Sequence, residues 1–170
     1  MTELYKCIDY FKDNRIMVIG DIIADEFIVG RPERLSREAP VLILRRQKRN
    51  ILPGGAANAA NNITSLKGNV ELVGMIGNDQ AGDRLLDILD KKKIDTSGII
   101  VDQVRPTSLK TRILAGGDQV VKQQVVRIDH LDQESIGSRI EERLVKQVKE
   151  RINQVDGLLL SDYGNGIFTK

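Results

Sequence analysis

The chain has no tryptophan, three phenylalanines and three tyrosines, so aromatic side chains fill only 4% of its 170 positions. That scarcity argues against an aromatic cage and against a stacking platform for nucleic-acid bases. A single cysteine, Cys7, excludes an internal disulfide and a CxxC metal or redox site. Neither sign of charge prevails: 26 basic and 24 acidic residues leave a net charge of +2. Such a balance does not point to nucleic acid or a membrane as the main partner. No stretch approaches the roughly 18 consecutive apolar residues of a membrane span. The first eleven residues mix Glu3, Lys6 and Asp9 with apolar positions and lack the apolar centre of a signal peptide. With 41% hydrophobic and 29% charged residues, the expectation is a cytoplasmic globular enzyme domain, or a piece of one.

What is present alternates. Arg15 to Gly20, Val70 to Gly77, Ser97 to Val101 and Val155 to Leu160 read as short buried strands, the first two stopped by glycine. Helical spacing appears in a short segment, Leu4 to Phe11, and then between the strands. Gly55 to Leu66 is rich in alanine and asparagine, which permits close helix–sheet contact. Asp79 to Lys92 places Ala81, Leu85, Ile88 and Leu89 in register, with Asp79 as the N-cap. Glu134 to Ile152 repeats apolar residues every four positions. Strand–helix alternation predicts an α/β fold with a mostly parallel sheet.

Two stretches break the pattern, residues 24–52 and 104–129. The first holds strand-like Glu26 to Val29 and Val41 to Leu44, joined through Pro32 and Pro40. The second holds Ser108 to Leu114, a turn at Gly116-Gly117-Asp118, and Val120 to Ile128. We expect these four strands to form a small antiparallel sheet, a lid over a body built from residues 1–23, 53–103 and 130–170. Mobile covers over sites are commonly such excursions. Residues 31–49 carry seven Arg or Lys against two Glu, a net of +5. Basic groups there and at Lys110, Arg112, Lys122 and Arg127 suit a phosphorylated substrate, or serve as charged edge strands that discourage aggregation.

Three segments stand where ligands bind in open α/β sheets, beyond the carboxyl ends of strands. Gly20-Asp21-Ile22-Ile23-Ala24-Asp25 follows the first strand, and the Asp25 carboxylate can accept hydrogen bonds from sugar hydroxyls, with Asp21 as a turn cap. Pro53-Gly54-Gly55-Ala56-Ala57-Asn58 opens the small-residue helix. Gly54 and Gly55 let a substrate approach the backbone, and Asn58 offers a donor and an acceptor. Ser161-Asp162-Tyr163-Gly164 follows the last strand and presents Asp162 for a substrate or metal–phosphate contact, or as a turn cap. Gly77 to Arg84 is not a P-loop, because Asp83-Arg84 stands where Lys-Ser/Thr is required, and no GxGxxG occurs. The lone His130 reads as a loop residue.

Together these segments, with Pro106-Thr107 through Lys110-Thr111-Arg112, resemble the ribokinase (PfkB) family of carbohydrate kinases along essentially the whole chain. Ser36-Arg37-Glu38-Ala39-Pro40-Val41 and Ser161 to Gly164 are similar, more narrowly, to the kinase domain of ADP-heptose synthesis enzymes. The resemblance implies a ribokinase-like doubly wound sheet under a β lid, with lids often paired in a homodimer. It implies phosphoryl transfer from ATP, with Mg²⁺, to the anomeric hydroxyl of D-glycero-β-D-manno-heptose 7-phosphate. Asp25 and Asn58 match sugar-contacting positions, and Gly54 and Gly55 match the diglycine that borders the sugar.

Two departures accompany it. The subfamily usually has lysine where this chain has Asn165, which removes a charge near a phosphate or substrate contact. The family's glycine-alanine-glycine-aspartate stretch, source of the anion hole and the catalytic base, does not occur among the 170 residues. The expectation is therefore an N-terminal part of a sugar kinase, with the C-terminal half of the fold absent. It would have no catalytic residue or metal ligand of its own, would supply the sugar side and lid, and would be inactive alone. The alternatives are a non-catalytic sugar-binding or dimerisation module, or a ribokinase-family kinase for another sugar.

Overall fold

The computed structural model describes residue 8 and residues 10–117 and 121–169. The helix expected over Leu4 to Phe11 and the Cys7 thiol fall largely outside these residues, as does Asp118 of the expected turn. Among the described residues, eight strands and three longer helices follow in the order β1 (Arg15–Gly20), β2 (Ile22–Leu35), β3 (Leu42–Gly55), α1 (Ala56–Ser65), β4 (Asn69–Gly77), α2 (Gln80–Lys91), β5 (Asp95–Asp102), β6 (Ser108–Ala115), β7 (Gln123–His130), α3 (Ser138–Arg151) and β8 (Gly157–Ser161).

The body is a parallel sheet in the order β5-β4-β1-β8. The central strands β1 and β4 read as apolar runs because both of their faces are covered, whereas Leu158 and Leu160 of the edge strand β8 stay exposed. On one face Val18 and Leu72 pack with Ala56, Ala57 and Ala60 of α1 and Leu85 and Leu89 of α2. On the other, Met17, Ile19, Val73 and Met75 pack with Ile136 and with Leu144 of α3. The alternation follows from the two-residue period of a strand. Removing a fully buried leucine such as Leu85 from water contributes about 2 kcal/mol.

The helices obey their local signals. Asp79 accepts from the N–H groups of Ala81 (3.0 Å) and Gly82 (2.9 Å), so α2 has the expected N-cap. The third helix starts later than its apolar spacing predicts, at Ser138. Gly137 is extended and is the N-cap, its carbonyl accepting from the Glu141 N–H at 3.1 Å, while the Ile136 N–H is engaged by the Gly166 carbonyl at 3.1 Å outside the helix.

The second sheet has the order β3-β2-β6-β7. It corrects the expectation of an antiparallel lid. The outer pairs β2–β3 and β6–β7 are antiparallel, but the central pair β2–β6 is parallel, so the sheet is mixed. Both central strands leave the same end of the body, and the chain between them crosses through it. A parallel pair requires such a long crossover. The strands are also longer than their apolar runs, because bulges at Val29/Gly30 and Pro32/Arg34 absorb the glycine and the proline. The strand β7 is exposed along its whole length, and His130 is its last residue rather than part of a loop. No helix among the described residues is long and apolar enough to cross a membrane.

Candidate functional site

The site forms where the mixed sheet rises from the carboxyl ends of the parallel strands. Register places Asp25 beside Lys110, and Phe27 beside Arg112, on one face of the β2–β6 pair. The Arg112 guanidinium donates to Asp25 Oδ1 and lies 5.3 Å from the centroid of the Phe27 ring. Asp25 Oδ2 points at Gly54, where a Cβ would lie 2.5 Å away. Among the described residues no donor engages that oxygen. Asp25 and Arg112 are both about a quarter exposed, so the pair is reachable from solvent.

Gly55 has φ +56°, and a side chain there would collide with the Asp21 carbonyl oxygen. Only glycine adopts this conformation at little cost. It turns β3 sharply into α1, whose first N–H, from Ala56, donates to the Asp21 carbonyl at 2.9 Å. Asn58 is exposed in the first turn of that helix. Lys110 Nζ lies 5.7 Å from the Tyr163 ring centroid, which brings this face of the mixed sheet to the loop after β8. Asp162 is exposed in that loop, and its Oδ1 accepts from the Gly164 N–H at 2.8 Å, a capped turn. The structure thus gathers Asp25, Gly54, Lys110 and Arg112 tightly. Asn58 and Asp162 stand on flanking elements and, among the described residues, make no hydrogen bond or ion pair with that group.

Several contacts that organise this end were not visible in the sequence. Asp21 is 2% exposed, and its Oδ2 accepts from the N–H groups of Tyr163 (2.7 Å) and Asn165 (3.2 Å). It caps a turn 142 residues away rather than its own. Asn165 is buried, and among the described residues its side-chain Nδ2, like Asp21 Oδ1, has no hydrogen-bond partner. Glu26, on the opposite face from Asp25, is buried between Thr111, whose hydroxyl donates at 2.8 Å, and the Arg49 guanidinium. The Asp79 carboxylate also accepts from the Thr107 N–H at 2.7 Å. Burial opposes its ionisation, but the N–H groups of Gly82, Thr107 and Ala81 outweigh this and hold its pKa below the ordinary value. None of these pairings has a local sequence signal, except the asparticacid N-cap itself.

At the other end of the parallel strands, Glu71 is fully buried between Arg151 Nε (2.5 Å) and Arg15 Nη2 (3.4 Å). Burial, and next the negative Asp95, push its pKa up, while the two arginines oppose the shift.

The pfkB family carbohydrate kinase model matches residues 13–159. The chain belongs to that family. It is 46% identical over 153 residues to the "Bifunctional protein HldE" of Helicobacter pylori strain P12, covering 90% of this chain and 32% of that protein. It is 39% identical over 158 residues to the protein of the same name from Geobacter metallireducens, covering 93% of this chain and 31% of that protein. The chain therefore spans about a third of the length of these relatives. A solved carbohydrate kinase from Agrobacterium tumefaciens superposes with a TM-score of 0.65 at 22% identity, over 86% of this chain and 45% of that one. A microbiome-derived acarbose kinase, Mak1, superposes with a TM-score of 0.60 at 13% identity. At such identities the superpositions establish the ribokinase-like fold alone.

Proposed function

We propose that this chain is the acceptor side of a sugar kinase, binding a heptose 7-phosphate whose anomeric hydroxyl receives the phosphoryl group of ATP. The observation that carries the reading is the Asp25 carboxylate. One oxygen is held by Arg112, and the other faces a glycine where a sugar ring could approach. A carboxylate fixed this way accepts hydrogen bonds from vicinal hydroxyls without having to reorganise. Gly54 and Gly55 keep the approach free of side chains, and Asn58 and Asp162 flank it. Lys110, which has no carboxylate partner among the described residues, and Arg112 supply positive charge for the sugar phosphate. The 39–46% identity to proteins called HldE supports a heptose over other sugars.

In this reading residues 24–52 and 104–129 act as the lid, residues 1–23, 53–103 and 130–170 as the body, and the lids pair in a cytoplasmic homodimer. The exposed β7 edge supports such pairing. Mg²⁺–ATP is the donor. Phosphoryl transfer also needs a base and a cradle for the transferring charge. The motif that would bring them is not in this sequence, so the isolated chain should bind sugar phosphate without phosphorylating it.

Isothermal titration of the chain with heptose 7-phosphate, fructose 6-phosphate and adenosine tests this reading. Binding of the heptose phosphate, lost in Asp25→Asn, is expected. Preference for another sugar phosphate would assign a different acceptor. Turnover of ATP by the chain would overturn its role as acceptor side alone.

A further inference from the structure

Arg105 lies in the link between β5 and β6 and is 9% exposed. Its backbone neighbourhood is bound to the body. The Thr107 N–H donates to Asp79 Oδ2 at 2.7 Å, and the Gly77 N–H donates to Thr107 Oγ1 at 2.9 Å. From this fixed base the guanidinium reaches two other segments. Nη1 donates to the Glu134 carbonyl at 2.9 Å, and Nη2 to the carbonyls of Asp132 (2.5 Å) and Asn165 (2.6 Å). Nε also lies 3.6 Å from Asp132 Oδ2.

These contacts join three places that matter to the site. Residue 105 stands three positions before β6, which carries Lys110 and Arg112. Asp132 and Glu134 follow β7, where the chain returns from the mixed sheet to α3. Asn165 belongs to the loop that carries Asp162 and Tyr163. That loop is gripped from its other side by Asp21, which accepts the Asn165 N–H, while the Ile136 N–H donates to the Gly166 carbonyl. The Asn165 peptide is thus held at both ends by buried charged side chains.

We propose that Arg105 is a positioning residue for the sugar site, coupling the entry and exit of the lid to the Asp162–Asn165 loop. This rests on the sugar-phosphate reading above. A guanidinium is suited to the task because its planar fork serves several carbonyls at fixed angles. A lysine keeps the charge but cannot span all three. Without the fork, the lid and the loop position themselves independently, and the substrate meets Lys110 and Tyr163 out of register.

The test is Arg105→Lys in the full chain, read by heptose 7-phosphate titration, thermal melting and hydrogen exchange of the 162–166 amides. The expected result is a weakening of binding on the order of tenfold, since small misplacements of positioning groups are costly, with faster exchange of the Tyr163 and Asn165 amides. Faster exchange or a lower Tm with unchanged sugar affinity would make Arg105 a structural residue only, and unchanged exchange would remove the coupling. Should Arg105→Lys fail to fold, Asp132→Asn, which deletes only the ion pair, is expected to shift both readouts in the same direction by a smaller factor; no shift in either would overturn the proposal. A parent chain that binds no sugar phosphate while Arg105→Lys still frees the loop would refute the sugar reading and leave the coupling standing.

Discussion

Gly54 faces the Asp25 carboxylate across the β2–β3 pair so closely that a methyl group on it would lie 2.5 Å from Oδ2. Gly54→Ala therefore has to displace Asp25 from Arg112 or push β3 outward. The expected outcome is a loss of sugar-phosphate affinity on the order of tenfold. Titration of the variant against the parent checks it. Equal affinities would mean that Asp25 Oδ2 does not touch the ligand.

The root of the mixed sheet depends on Glu26. Its buried carboxylate takes the Thr111 hydroxyl and the Arg49 guanidinium, and Arg49 is one-third exposed. Glu26→Ala leaves the hydroxyl unpaired and the guanidinium without its counter-charge. We expect a loss of about 2 kcal/mol, below the full cost of breaking a buried pair because Arg49 keeps some water. Glu26→Gln should lose about half as much, since an amide oxygen still accepts from Thr111. Urea unfolding at pH 7 measures both.

Asp79 makes a prediction about acid. Its native pKa is lowered from 3.8, so the unfolded chain binds the proton more readily. The stability it contributes is present above pH 3.8 and is lost as pH falls through the lower native value. Asp79→Ala should cost about 1 kcal/mol at pH 7 through loss of the N-cap. The gap between parent and variant should narrow below pH 4. A gap that stays constant from pH 7 to pH 3 would show that the ionised form is not favoured in the native state.

Glu71 behaves oppositely. Burial raises its native pKa above 4.5, so the folded chain binds the proton more readily. Its contribution falls as pH rises from 4.5 through the raised native value. The stability of the parent relative to Glu71→Gln should therefore decline over that window. Urea midpoints of both proteins at several pH values follow the difference; a difference that grows with pH would mean that Arg15 and Arg151 dominate.

The parallel strands were legible because each is a short apolar run, and the α2 cap because an N-cap acts over two or three residues. Asp25 could be singled out beyond the end of the first strand, Gly54 and Gly55 at the turn into the small-residue helix, and Lys110 and Arg112 as basic residues of the second excursion. Their grouping could not, because Arg112 is 87 residues from Asp25. The mixed order of the second sheet was hidden for a similar reason. Nearest-neighbour hairpins are the natural reading of four strands, and only the paths through the body make β2 and β6 parallel.

By itself the sequence determined the alternation of strands and helices, the two excursions and the chemistry available at the strand ends, since periodicity, capping and residue type are local properties. Only the tertiary structure decided which oxygen of Asp25 is engaged, that Asp21 serves a turn 142 residues away, and that Arg105 joins three segments. Those are contacts between distant parts of the chain. They exist because buried charges and peptide groups must find partners where folding places them, and no local pattern encodes that choice.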